Sequence, residues 1–309
     1  MEFWRFNFVF LLTMQLFFYG CVSNLEGFSD LISIDEDDEE LLAVTSKVGE
    51  FAYKFKEQES KAPYVVCEKE GLKSYFFLAV TGSKLETIDD SYCKKGVSQG
   101  FLGAGYNIVA FALPGYSKAT GTKDFGGEHS IASIEAFMNG FSGPDKGQIH
   151  GLWAYGEGSI AAFFHSKKHP RSPKLVVGGG IYDMENVARS TKHEELKVVM
   201  TQLFQKEGEA AFEKRSVSWD PSGLPQKVIL YHAEKDEYFP KDGAVYFRDS
   251  LLSQGGKVSL SVLPGALHIL NEKLHRSAVK KLLKEHDAIS GLSRLDGRVS
   301  HRKGEKNGL

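Results

Sequence analysis

From about residue 60 onward, short apolar runs alternate with longer stretches in which apolar residues recur at helical spacing. Residues 64–67 and 75–80 read as strands, and Glu70-Gly71 between them predicts a hairpin turn. Five further runs, at 106–113, 148–155, 174–178, 227–232 and 258–263, are each separated by a segment able to form a helix. Short apolar strands that alternate with helices predict a mostly parallel sheet covered on both faces, that is, an α/β fold. Ahead of them, Leu41, Val44, Val48, Phe51 and Phe55 fall at steps of three and four, which predicts an amphipathic N-terminal helix. Helical segments at 184–215 and 272–288 complete the body, and the second carries Leu274, Val279, Leu282 and Leu283 on one side.

The two ends differ from this body, which is expected to run over residues 41–288. Arg5 precedes an apolar run from Phe8 to Tyr19, followed by Gly20-Cys21, the pattern of a signal peptide over residues 1–21. The run is shorter than the roughly 20 residues that span a bilayer, and Gln15 interrupts it. Phe18-Tyr19-Gly20-Cys21 resembles a bacterial lipobox, although the two aromatic residues are poor matches. That resemblance implies an exported lipoprotein of the cell envelope, held at the membrane by a lipid on Cys21. Cleaved secretion and an uncleaved anchor are the alternatives. Residues 22–40 form a linker with an acidic block at 35–40, and residues 289–309 form a basic, flexible tail. Beyond Cys21 only Cys67 and Cys93 remain, which export would permit to form one disulfide; two separate buried thiols are the alternative. With a formal charge of −2 and no stripe of arginines and aromatics, nothing points to nucleic acid.

The candidate chemistry lies at residues 149–164, where an apolar strand meets a small-residue turn and a helix start. This is the setting of a Gly-x-Ser-x-Gly nucleophile elbow, with Ala154 at the first glycine, Gly158 at the last, and Gly156 where the serine belongs. Other motifs follow in order. Val80-Thr81-Gly82-Ser83 resembles a turn that supplies backbone to an oxyanion hole. Ala110 to Ser117 resembles an Asp-x-Pro-Gly-x-Gly-x-Ser loop with Ala112 in the aspartate's place. His232-Ala233-Glu234-Lys235-Asp236, running on to Pro240, resembles a segment that delivers a catalytic acid, and Leu263 to His268 resembles the loop that presents a catalytic histidine.

On these motifs the chain resembles the α/β-hydrolases over roughly residues 60–288, closest in style to peptidase and esterase members with a compact helical cap. The resemblance implies Asp236 as the acid, His268 as the base, and the backbone N–H groups of Ser83 and Glu157 as the oxyanion hole. The nucleophile itself is absent at Gly156. Ser159 and Ser83 are the nearby hydroxyls that could stand in, each requiring a hydrogen bond to His268. Glu157 also brings a carboxylate next to the site, which disfavours an anionic ligand unless it points outward.

The residues imply no cofactor and no metal. Gly156 to Ala161 fits a nucleotide-binding Gly-x-Gly-x-x-Ala, but the strand at 174–178 ends without an acidic residue to hold a ribose. His193-Glu194 has Lys197 where a zinc helix would need its second histidine. The expected protein is therefore a pseudohydrolase that binds a small molecule or peptide without cleaving it. A hydrolase of esters or peptides working through His268 and Asp236 is one alternative, and a structural envelope protein is the other. An open aromatic pocket distinguishes the first two from the third, in which Tyr155 or Trp153 fills it.

Overall fold

The computed structural model describes residues 41–72, 75–82, 87–141, 148–169, 174–225 and 227–290. Expectations for the leader, Cys21, the linker over 22–40, Ser83 and the tail from residue 291 lie outside these residues. Eight strands form one sheet: β1 (Thr45–Phe55), β2 (Gln58–Glu68), β3 (Tyr75–Thr81), β4 (Asn107–Ala112), β5 (Gln148–Tyr155), β6 (Lys174–Gly178), β7 (Val228–Ala233) and β8 (Val258–Leu263). Their order is β1-β2-β4-β3-β5-β6-β7-β8. β2 runs antiparallel to β1 and β4, and the remaining pairs are parallel. Every residue of β4, β6 and β7 is buried, as strands covered on both faces must be.

Two expectations fail here. Residues 45–55 form strand β1, not a helix. The decisive period is two rather than 3.6: Gly49, Phe51, Tyr53 and Phe55 are the more buried positions and alternate with exposed neighbours. Phe51 packs on Phe111 and Phe137, and Phe55 stacks on His129, so one face of the strand covers the body. Leu41 and Val48, which completed the helical pattern, are exposed. The second failure is the hairpin at Glu70-Gly71. A turn exists there, with Gly71 at φ +81°, but β2 pairs with β1 and β4, whereas β3 lies between β4 and β5. The real hairpin joins β1 to β2 through Lys56, at φ 54°, and Glu57.

Eight helices occur among the described residues: α1 (Gly96–Gly103), α2 (Glu128–Phe141), α3 (Gly158–Lys168), α4 (Met184–Ser190), α5 (Glu194–Glu207), α6 (Ala210–Glu213), α7 (Lys241–Ser253) and α8 (Glu272–Ser290). None is long and apolar enough to cross a membrane. α1 and α8 pack on each other, and Phe101 and His275 carry them onto Trp153 of β5. Their contact is backbone to backbone: a Cβ on Gly96 would lie 2.0 Å from the Glu272 carbonyl oxygen, and one on Gly100 would lie 2.8 Å from that of Arg276. Cys67 of β2 and Cys93, in the short 3₁₀ turn before α1, form a disulfide with Cα atoms 5.4 Å apart. The stretch read as one helical segment at 184–215 is broken into α4, α5 and α6, which form the compact cap. Met184, Val187, Leu196 and Met200 of the cap pack with Phe125, Ile160, Ile181 and Phe239 of the body.

Candidate active site

Gly156 follows β5 at the elbow apex with φ +54°, a conformation that glycine adopts without steric cost. Its N–H donates to the Gly178 carbonyl at 3.2 Å, which ties the apex to the neighbouring strand. Two residues on, Gly158 begins α3 against β3: a Cβ there would meet the Val80 carbonyl oxygen at 2.6 Å. Glycine at 158 is thus required by the closeness of the two backbones.

Asp236 is held by its own turn. Asp236, beyond β7, has a fully buried side chain. Its Oδ1 accepts the N–H groups of Tyr238 at 2.9 Å and Phe239 at 2.8 Å, leaving Oδ2 to face His268. His268, in the loop between β8 and α8, meets that oxygen through Nδ1 at 2.7 Å. A carboxylate on Nδ1 fixes the imidazole so that Nε2 faces the elbow. A Cβ at position 156 would lie 3.7 Å from that Nε2 and 3.5 Å from the Phe239 ring, ordinary contact distances. One further bond from such a Cβ brings a serine hydroxyl within the reach of about 2.6–3.2 Å that a nucleophile and its base require.

Several groups brace this arrangement, and sequence reading did not anticipate them. Tyr155, just before the apex, donates its hydroxyl to the backbone carbonyl of His268 across 113 residues. Its place beside the apex is the only local signal. Behind Asp236, buried His232 places Nε2 2.6 Å from the Phe239 carbonyl and 3.4 Å from Asp236 Oδ2. Burial lowers the His232 pKa, which keeps that ring neutral. From the cap, the His193 ring stacks on Tyr238 with centroids 3.4 Å apart, and Tyr238 in turn lies 4.7 Å from the His268 ring.

Ser159 is not brought to His268. Its hydroxyl is fully buried, donates to the Gly156 carbonyl at 2.7 Å and accepts the Ile181 N–H at 2.9 Å, so it belongs to the elbow's own turn. Glu157 follows the apex, as an oxyanion donor should, and its carboxylate turns toward the loop after β4. There it accepts the Tyr116 hydroxyl and pairs with Lys123 at 3.1 Å, while Lys123 lies 4.3 Å above the Tyr116 ring. Burial first, and then the Glu157 carboxylate, push the Tyr116 pKa far up, so that hydroxyl stays protonated and donating. The same loop is clamped to the cap by buried Arg215, which bonds the carbonyls of Asp124 and Phe125 and pairs with Glu207. Above the apex lies a pocket of about 600 Å³, lined by Tyr155, His268, Tyr238 and Phe239 together with Leu196 and Val199 of the cap. Trp153 is buried within the body and does not line it. No group of three or more metal-ligating side chains exists among the described residues, and Lys197 pairs with Glu194 at 2.8 Å.

Neither a family model nor a curated protein sequence matches the chain. Solved structures do. An acylaminoacyl peptidase from Pyrococcus horikoshii superposes with a TM-score of 0.62 at 17% identity, over 79% of this chain and 42% of that one. An esterase from Rhizomucor miehei gives 0.58 at 14% identity, over 82% of this chain and 86% of the other. Acetyl xylan esterase 1 from Thermoanaerobacterium gives 0.56 at 11% identity, over 79% and 88%. The chain therefore spans less than half the length of the peptidase and most of the length of the esterases. These structures and the sheet order define its class: the chain has the α/β-hydrolase fold.

Proposed function

We propose that this chain is a pseudohydrolase: an α/β-hydrolase-like protein that binds a small molecule or peptide in its pocket and does not cleave it through a serine. One observation carries the reading. The position where a Cβ at residue 156 would face His268 Nε2 at 3.7 Å belongs to a glycine, while the acid and base are paired at 2.7 Å. Without the hydroxyl no acyl-enzyme forms, and loss of a serine nucleophile in a hydrolase costs on the order of 10⁶ in turnover. The open pocket, with Trp153 packed inside the body, speaks against a purely structural role. Hydrolysis of short-chain aryl esters tests the reading. The expected rate is no higher than that of a His268→Ala control.

The tight Asp236–His268 pair also favours a second reading, in which His268 activates a water for hydrolysis of esters or peptides. A saturable turnover lost in His268→Ala would select it over the first. The export reading belongs to the same proposal, and the Cys67–Cys93 disulfide supports it, since such bonds persist in oxidising compartments. Mass spectrometry of the mature N-terminus is expected to find a lipid on Cys21. An unmodified terminus beyond that residue would rule the anchor out.

A further inference from the structure

Trp153, Tyr231 and His275 form a polar chain beneath the pocket that the acid–base pair does not use. The indole N–H of Trp153 can only donate, and it reaches the Tyr231 oxygen at 2.9 Å. Tyr231 has one proton of its own, and its 2.8 Å contact with His275 Nε2 gives that proton an acceptor. A neutral imidazole that accepts at Nε2 carries its hydrogen on Nδ1. Burial drives the His275 pKa down to about 4, so the ring is neutral at ordinary pH. Three histidines, His150, His165 and His232, have a buried nitrogen without a partner among the described residues, and His275 is not one of them, although Nε2 alone is engaged. His275 lines the pocket, and Nδ1 is the nitrogen left to face it.

We infer that His275 is a preset neutral hydrogen-bond donor in the pocket, and that the ligand is an apolar body bearing a carbonyl-type oxygen. This rests on the ligand-binding reading above and names the ligand's chemistry. With Tyr231 accepting from Trp153 and donating to Nε2, the pocket is offered a donor at this point and no acceptor. The apolar body fits Leu196, Val199, Tyr238 and Phe239.

Titration of the full chain with two matched compounds, followed by NMR, tests the assignment: 4-phenylbutan-2-one and butylbenzene. The ketone is expected to bind roughly 2–10-fold more tightly than the hydrocarbon, the net worth of one neutral hydrogen bond. His275→Phe should still bind butylbenzene and lose the preference, and Tyr231→Phe should narrow it by freeing the tautomer. Equal binding of ketone and hydrocarbon by the native protein, or an undiminished preference in folded His275→Phe, overturns the donor assignment alone. Binding of neither overturns the ligand-binding reading as well. The ¹⁵N shifts of His275 in the native protein give a check that needs no variant: protonated Nδ1 is expected, and protonated Nε2 would contradict it.

Discussion

At position 156, glycine and serine differ by a hydroxymethyl group whose direction is already set by the backbone. The left-handed φ of +54° is free for glycine and strained for any residue with a Cβ. Gly156→Ser should therefore lower stability by about 1–3 kcal/mol, read from urea midpoints, because no clash opposes the new side chain and the backbone strain acts alone. The pairing of Asp236 with His268 was legible from the sequence because each closes a motif at a strand end, Asp236 before His268 in the chain. The groups that brace them were not. Tyr116 meets Glu157 across 41 residues and Tyr155 meets the His268 carbonyl across 113, and pairs so far apart have no common local pattern. Ser159, a possible surrogate by proximity in sequence, is turned by the first turn of α3 into the elbow's own hydrogen bonds.

Helix and strand periods can coincide over a few residues, and β1 shows the consequence. Phe51 and Phe55 satisfy both a spacing of four and an alternation of two, and the interleaved burial of Tyr53 decides for the strand. The five strands from β4 to β8 were legible because each is a short apolar-rich run set between longer segments able to form helices, and length decides for the strand. The hairpin at Glu70-Gly71 misled because a turn reports a change of direction and says nothing of which strand becomes the neighbour. β2 is fixed to the segment before α1 by the Cys67–Cys93 bond, across 26 residues. Replacing both cysteines with alanine should cost about 3 kcal/mol, in the range expected for closing a loop of this length. Chemical denaturation of the double variant checks this, and an unchanged midpoint would mean that β2 and α1 are held by packing alone.

Across the whole molecule, buried neutral histidines link folding to pH. His165 and His275 are driven down to about 4, chiefly by burial, and His129, His150 and His232 are lowered for the same first cause. In the unfolded chain these rings titrate near 6.5. The unfolded state therefore binds protons that the folded state refuses, and stability should fall as pH drops from about 6.5 toward 4, by at most about one proton per histidine. Above that window they contribute no slope. Urea midpoints between pH 7.5 and 4.5 measure the effect, His165→Phe should flatten it, and a protein that gains stability on acidification would contradict it. Asp236 and His268 are paired at 2.7 Å, with His268 Nε2 3.7 Å from where a Cβ at position 156 would lie, so under the proposed reading a hydroxyl is all that the elbow lacks. Labelling of Gly156→Ser with a serine-directed phosphonate tests it most directly. Labelling is expected to be absent in the native chain, present in Gly156→Ser and lost again in Gly156→Ser with His268→Ala. A folded Gly156→Ser protein that stays unlabelled would contradict it.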